Sequence, residues 1–232
     1  MNVWLAIPSA REESQSTLPL WKARGYKVAV FRNLGASLIK CADLVLSGDY
    51  PGYAIATNAL CAEILENDKE CDWVVGGGDD VEPDKRDPEQ IARECTQHFA
   101  GTFGVMQPTG DRFAQGSIDR IAGSPWMGRS WCLRANGGQG PFWPSFRHMF
   151  GDECLLRVAE KLGVYWRRPD LVHLHRHFMR ESLDLNSRAV PSVIPPHLIE
   201  ANSRAHWDEM QNEFLRLEAH GFSECMPAAE VA

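Results

Sequence analysis

Apolar positions follow two rhythms that alternate along the first half of the chain. "NVWLAIP", "YKVAVFRN", "CDWVVGG" and "GTFGVMQ" are short, nearly unbroken apolar runs, as expected of strands covered on both faces. Segments of helical spacing separate them. "STLPLWKARG" is closed by Gly25, and "GYAIATNALCAEILEN" carries Ala54, Ile55, Leu60, Ile64 and Leu65. "DPEQIARECTQHF" opens with Asp87 as N-cap, Pro88 at the first helical position and Gln90 completing a capping box. This β-α-β-α order predicts an α/β fold with a mostly parallel central sheet flanked by helices.

The pattern loosens after residue 108. "PTGDRFAQGSIDRIAGSPWMGRSWCLRANGGQGPFWPSF" is rich in Gly, Pro, Trp and Arg, a composition expected of strands mixed with binding loops. Within it "NGGQG" suggests a flexible lid. Order returns with the helix "DECLLRVAEKLG", two short strands around Pro169 in "VYWRRPDLVHLHRHF", and an amphipathic helix over roughly residues 197–220. With no repeat and no low-complexity linker, the expectation is one domain over 1–232. Its first half ends near 107, its second covers about 108–180, and a C-terminal helix and tail fill 181–232.

Composition narrows the partners. Hydrophobic residues make up 44% and charged residues 24%, ordinary for a soluble globular protein. No apolar stretch is long enough to span a bilayer, and the N-terminus lacks a signal peptide, so the expectation is a cytoplasmic protein with no membrane partner. Seven cysteines without a C-x-x-C pair read as reduced thiols. A net charge of −7 argues against a broad nucleic-acid-coating surface.

Three acidic or basic clusters carry the candidate chemistry. In "VVGGGDDVEPD", Asp79 and Asp80 follow a strand, at the rim where open parallel sheets bind ligands. The pair reads equally as a turn or as a site for a divalent cation beside phosphates. In "LVHLHRHF", His173, His175 and His177 alternate and so share one face of a strand; imidazole is a common metal ligand. In "FGDECLLRVAEKLG", Asp152 and Glu153 open a helix. The helix dipole alone would lower their pKa, so a general base there needs partial burial. Trp126, Trp131, Phe142 and Trp143 read either as core or as stacking groups for a sugar or base, and Arg129 and Arg134 either as solvated charges or as phosphate grips.

The order of "IPSARE", the helix bearing Asn58, "WVVGGGDDVEPD", "GDECLLRVAEKLG" and "PDLVHLHRHF" resembles that of a GT-A type glycosyltransferase, over roughly residues 3–178. The resemblance implies transfer of a sugar from a UDP- or GDP-linked nucleotide-sugar to an acceptor hydroxyl, assisted by Mn²⁺ or Mg²⁺. It makes residues 1–107 the nucleotide-sugar half and 108–180 the acceptor half. The family's acidic motif is Asp-x-Asp; here it reads Gly78-Asp79-Asp80, so the first acid is absent. Asp80 then matches the metal ligand and His175 a second one, with His173 or His177 as substitutes. Pro8, Ser9, Arg11, Glu12, Asn33, Asn58 and Asp79 fall on the nucleotide side, and Trp126, Arg129 and Arg134 on the acceptor and phosphate side. Asp152 or Glu153 takes the place of the base in an inverting reaction; a retaining reaction stays open.

The acceptor stays open as well, a modified DNA base of the kind some phage glycosyltransferases use among the choices. Other classes are a non-catalytic sugar-binding module, a metal-dependent hydrolase and a nucleotidyltransferase. The expected clustered ligands of the hydrolase and the glycine-rich basic loop of the nucleotidyltransferase are both missing.

Overall fold

A computed structural model describes residues 1–9, 14–111, 121–176, 199–200 and 203–228, with Ser9 described by its backbone alone. The expected strands form as β1 (Asn2–Ser9), β2 (Lys27–Asn33), β4 (Cys71–Val75), β6 (Val105–Pro108) and β8 (Tyr165–Arg168). β3 (Leu44–Gly48) and β7 (Trp126–Gly128) complete a seven-stranded sheet in the order β3-β2-β1-β4-β7-β6-β8. Only β7 runs antiparallel to its neighbours. The protein is therefore an α/β fold with a mostly parallel central sheet. β5 (Val81–Glu82) and β9 (Leu174–His175) pair antiparallel in a two-stranded annex.

Helices cover both faces. Val3, Leu5 and Ile7 of β1 face α1 (Ser14–Ala23) and α3 (Pro88–His98), in a core that includes Trp21, Trp73 and Trp126. Trp4 and Ala6 face the other way, toward α2 (Tyr53–Asn67), α4 (Arg129–Gly138), α5 (Gly151–Lys161) and α6 (Arg204–Ala219). That alternation along one strand separates the two cores. The expected N-cap and proline of α3 are present, with the Asp87 side chain accepting from Glu89 N–H, but Gln90 does not complete a capping box: its amide donates to Glu94 Oε1 at 3.0 Å. All seven cysteines are free thiols, and among the described residues no helix is long and apolar enough to cross a membrane.

Two local structures differ from expectation. "NGGQG" is a built corner: α4 kinks at Ala135–Gly137, the Asn136 amide donates to Gly140 O at 2.9 Å, and Gly137 N–H donates to Met226 O at 2.9 Å. β3 is an edge strand whose residues are only half-buried or exposed, so it lacks the continuous apolar run that marks its neighbours.

Candidate cation and acid site at the strand tips

β4 ends in Gly76-Gly77-Gly78-Asp79-Asp80 at the carboxyl rim of the sheet. Gly77 has φ 146°, open to glycine and strained for any other residue. A Cβ on Gly78 would lie 2.5 Å from Asp80 Oδ1. The missing side chain at Gly78 is what lets the Asp80 carboxylate fold back over the loop.

The annex carries the loop to the histidine strand. Val81 pairs with His175, and Arg176 N–H donates to Asp80 O at 2.8 Å. Asp80 Oδ1 and His175 Nε2 lie 3.3 Å apart. Adjacent ligands of a six-coordinate cation with bonds near 2.1 Å are about 3 Å apart, so this pair can share one. One carboxylate oxygen and one imidazole nitrogen suit Mn²⁺ at least as well as Mg²⁺. Among the described residues no group of three or more His, Cys, Asp or Glu side chains is placed to hold a metal; a cation here would draw its other ligands from water and phosphate.

Buried carboxylates set the position of the histidine strand. Asp111 accepts from His175 N–H at 2.9 Å, and Asp84 accepts from Val172 N–H at 2.7 Å. α1 holds the acidic segment from the other side, with the Thr17 hydroxyl on Asp79 O and the Trp21 indole on Val81 O at 2.7 Å. Asp79 is buried under these contacts, while Asp80 keeps an accessible edge.

Asp152 approaches the same loop from the opposite face of the sheet. It sits at the second position of α5, after Phe150 in the left-handed conformation, and its Oδ1 accepts from Glu153 N–H at 2.9 Å. Burial pushes its carboxyl up to about 6, against the lowering pull of those amides. Tyr53 joins it to the glycines. The Tyr53 hydroxyl accepts from Gly77 N–H and lies 3.2 Å from where a Gly76 Cβ would be. Burial, then the charge of Asp152, drive the Tyr53 phenol well above its ordinary value. Residues 121–125 form a second bridge: Ala122 N–H donates to Asp152 O at 3.3 Å, and Pro125 O accepts from Gly76 N–H at 2.9 Å.

The rim thus assembles Pro8, the Ser9 backbone, Asn33, Asp79, Asp80 and His175, with Asp152 and Glu153 across the glycine loop. Arg11, Glu12 and His177 lie outside the described residues. Four expected contacts stand elsewhere. The Asn58 amide is used on Phe142, donating to its carbonyl at 2.8 Å and accepting from its N–H at 3.0 Å. The Arg129 guanidinium donates to Leu65 O, Asp68 O and Cys71 O, each at 3.2 Å, and so caps the far end of α2. Arg134 lies over Phe103, 4.7 Å from the ring centre, also at the amino end of the sheet. Trp126 is fully buried, so its ring is core rather than a stacking platform.

His173 departs from His175 in kind. It is buried, and burial pushes its imidazole down to about 3 despite the nearby Asp84 carboxylate. A neutral core histidine is the result. Tyr53, Ser124 and Asp111 were not flagged by the sequence. "GSP" and "TGD" carry only ordinary turn chemistry, and a tyrosine at a helix start has no distinguishing spacing.

No family model matches the chain, and neither does any curated protein.

Proposed function

We propose that the protein is a glycosyltransferase of the GT-A type, using a nucleotide-diphospho-sugar donor and a divalent cation. The observation that carries the reading is the contact of Asp80 with His175 at the strand tips, 3.3 Å apart. It brings the end of the acidic motif against the late histidine, two features more than ninety residues apart in sequence. Asp80 and His175 would hold the cation, which when bound would supply positive charge to stabilise the departing diphosphate. Pro8, Ser9 and Asn33 line the nucleotide side of the rim.

Asp152 is the base. A carboxyl held near 6 is largely ionised at neutral pH yet basic enough to take a hydroxyl proton. Its links to the glycine loop through Tyr53 and residues 121–125 put it on the same loop that ends in Asp80. Glu153, next to it and half-buried, is the alternative base. A cytoplasmic protein acting on a small molecule or a polymer fits this reading, and a modified DNA base fits it less well, given the net charge of −7. Incubating the protein and Mn²⁺ with a panel of UDP- and GDP-sugars and candidate acceptors, and assaying released nucleoside diphosphate, tests the proposal. Release that requires acceptor, Mn²⁺ and Asp152 is expected; no release from any donor would count against it.

A further inference from the structure

We propose that Ser124 and His173 are positioning residues for this site: they fix the Gly76 carbonyl, and through it the glycine loop that presents Asp80. The inference rests on the transferase reading for its consequence, but its geometry stands independently. Trp126 Nε1 is 3.4 Å from His173 Nε2, His173 Nδ1 is 2.7 Å from Ser124 Oγ, and Ser124 Oγ is 3.1 Å from Gly76 O. Proton directions follow from the first and last members. An indole N–H only donates and a carbonyl only accepts. So Nε2 of His173 accepts, Nδ1 carries the proton and donates to Ser124 Oγ, and the Ser124 hydroxyl donates to Gly76.

Every member of this relay is buried, and each polar atom in it has the partner it needs. The ring is held edge-on to Trp21, with ring centres 5.0 Å apart and planes at 82°. Ser124 is itself fixed, its N–H donating to Gln107 Oε1 at 3.1 Å. A histidine kept only for packing would end its hydrogen bonds within the core. This one ends at the loop. The serine hydroxyl lies 3.1 Å from where a Gly77 Cβ would be, so the glycine is what admits it. Gly76 is gripped at its carbonyl by Ser124 and at its N–H by Pro125 O. Beyond that grip come Gly77 and Gly78 and then the two acids; Tyr53, Thr17 and Arg176 hold the segment further on, and the grip on Gly76 fixes the point from which the glycine loop leaves β4.

The test uses the full chain, labelled with ¹⁵N. Long-range ¹H–¹⁵N spectra should show His173 as the neutral tautomer protonated at Nδ1. Ser124→Ala should shift the amide resonances of residues 76–80 and weaken binding of Mn²⁺ alone by about tenfold. His173→Asn, which keeps a donor near the Nδ1 position, should retain most of the wild-type affinity, whereas His173→Leu should lose about as much as Ser124→Ala. An Nε2-protonated tautomer, or loop resonances unmoved by Ser124→Ala, would overturn the proposal. So would equal weakness in the Asn and Leu variants, which would mark a packing role. If the wild-type protein binds no Mn²⁺, the transferase reading fails at its cation, while the tautomer and the loop resonances still decide the positioning role.

Discussion

Asp152 is pulled two ways, by burial that favours its neutral form and by helix amides that favour the anion, and burial prevails. Replacing it with Asn should cost about 10²–10⁴ in turnover while leaving donor binding intact, measured as kcat beside the donor dissociation constant. Gly78 gives a different kind of prediction. The Cβ of Gly78→Ala would meet the free end of a carboxylate rather than backbone, so the Asp80 side chain swings away. Calorimetry should show a change in stability below about 1 kcal/mol, and titration should show Mn²⁺ affinity reduced about tenfold. Asn58→Ala should do the reverse. It strands the buried N–H and C=O of Phe142, at a cost of about 2–4 kcal/mol, read from the denaturant midpoint. Unchanged stability in that variant would return Asn58 to a ligand-binding role.

At the scale of elements, the strands most legible in the sequence were those buried on both faces, though the edge strand β8, with only Arg168 buried, was legible from its place before Pro169. β1, β2 and β4 show continuous apolar runs because helices cover them above and below. β3 escaped that reading because one edge and much of its surface face water. The acids were legible for a related reason: Asp79, Asp80, Asp152 and Glu153 all stand at ends of strongly patterned elements. Three of the four misplaced residues come from 126–134, where no period fixes which way a side chain points; the fourth, Asn58, is spent on the Phe142 backbone. Trp126 turns into the core, and Arg129 and Arg134 fall at the amino end of the sheet. Arg129 has the structural task of capping α2 at Leu65 O and Asp68 O and tying it to the start of β4 at Cys71 O. Arg129→Ala should therefore lower the melting temperature and leave donor affinity unchanged, a contrast that a thermal-shift series with and without ligand would show.

For the whole molecule, three of the shifted groups shape the response to acid between about pH 6.5 and 2. Asp152 has a folded pKa of about 6, above its ordinary 3.8. The folded state holds that proton first, so this group adds stability as pH falls from 6 toward 4. His173 has a folded pKa of about 3, below its ordinary 6.5. There the unfolded chain takes the proton first, and stability is lost as pH falls from 6.5 toward 3. Between about pH 6 and 4 the two slopes, each near 1.4 kcal/mol per pH unit, oppose one another. Asp68 adds a third group. Burial opposes its ionisation, but hydrogen bonds from Lys27, Trp4 and the Glu70 N–H outweigh burial and hold it at about 2; its contribution is lost as pH falls from 3.8 through 2. Wild-type stability from these groups should be nearly level from pH 6 to 4 and fall below 4. Asp152→Asn removes the compensating slope, so its stability should already decline below pH 6.5. Urea unfolding at half-unit pH steps would show the two curves diverge; parallel curves would contradict the burial of Asp152.

The central claim is a cation held by Asp80 and His175, with a separate base at Asp152. Thermal stabilisation by a panel of UDP- and GDP-sugars, with and without Mn²⁺, tests it directly in the wild type and in Asp80→Ala, His175→Ala and Asp152→Asn. Binding to the folded state raises the melting temperature by mass action. The account predicts Mn²⁺-dependent stabilisation by at least one donor, lost in Asp80→Ala and His175→Ala and kept in Asp152→Asn. Stabilisation that ignores Mn²⁺, or that all three variants lose alike, would contradict it.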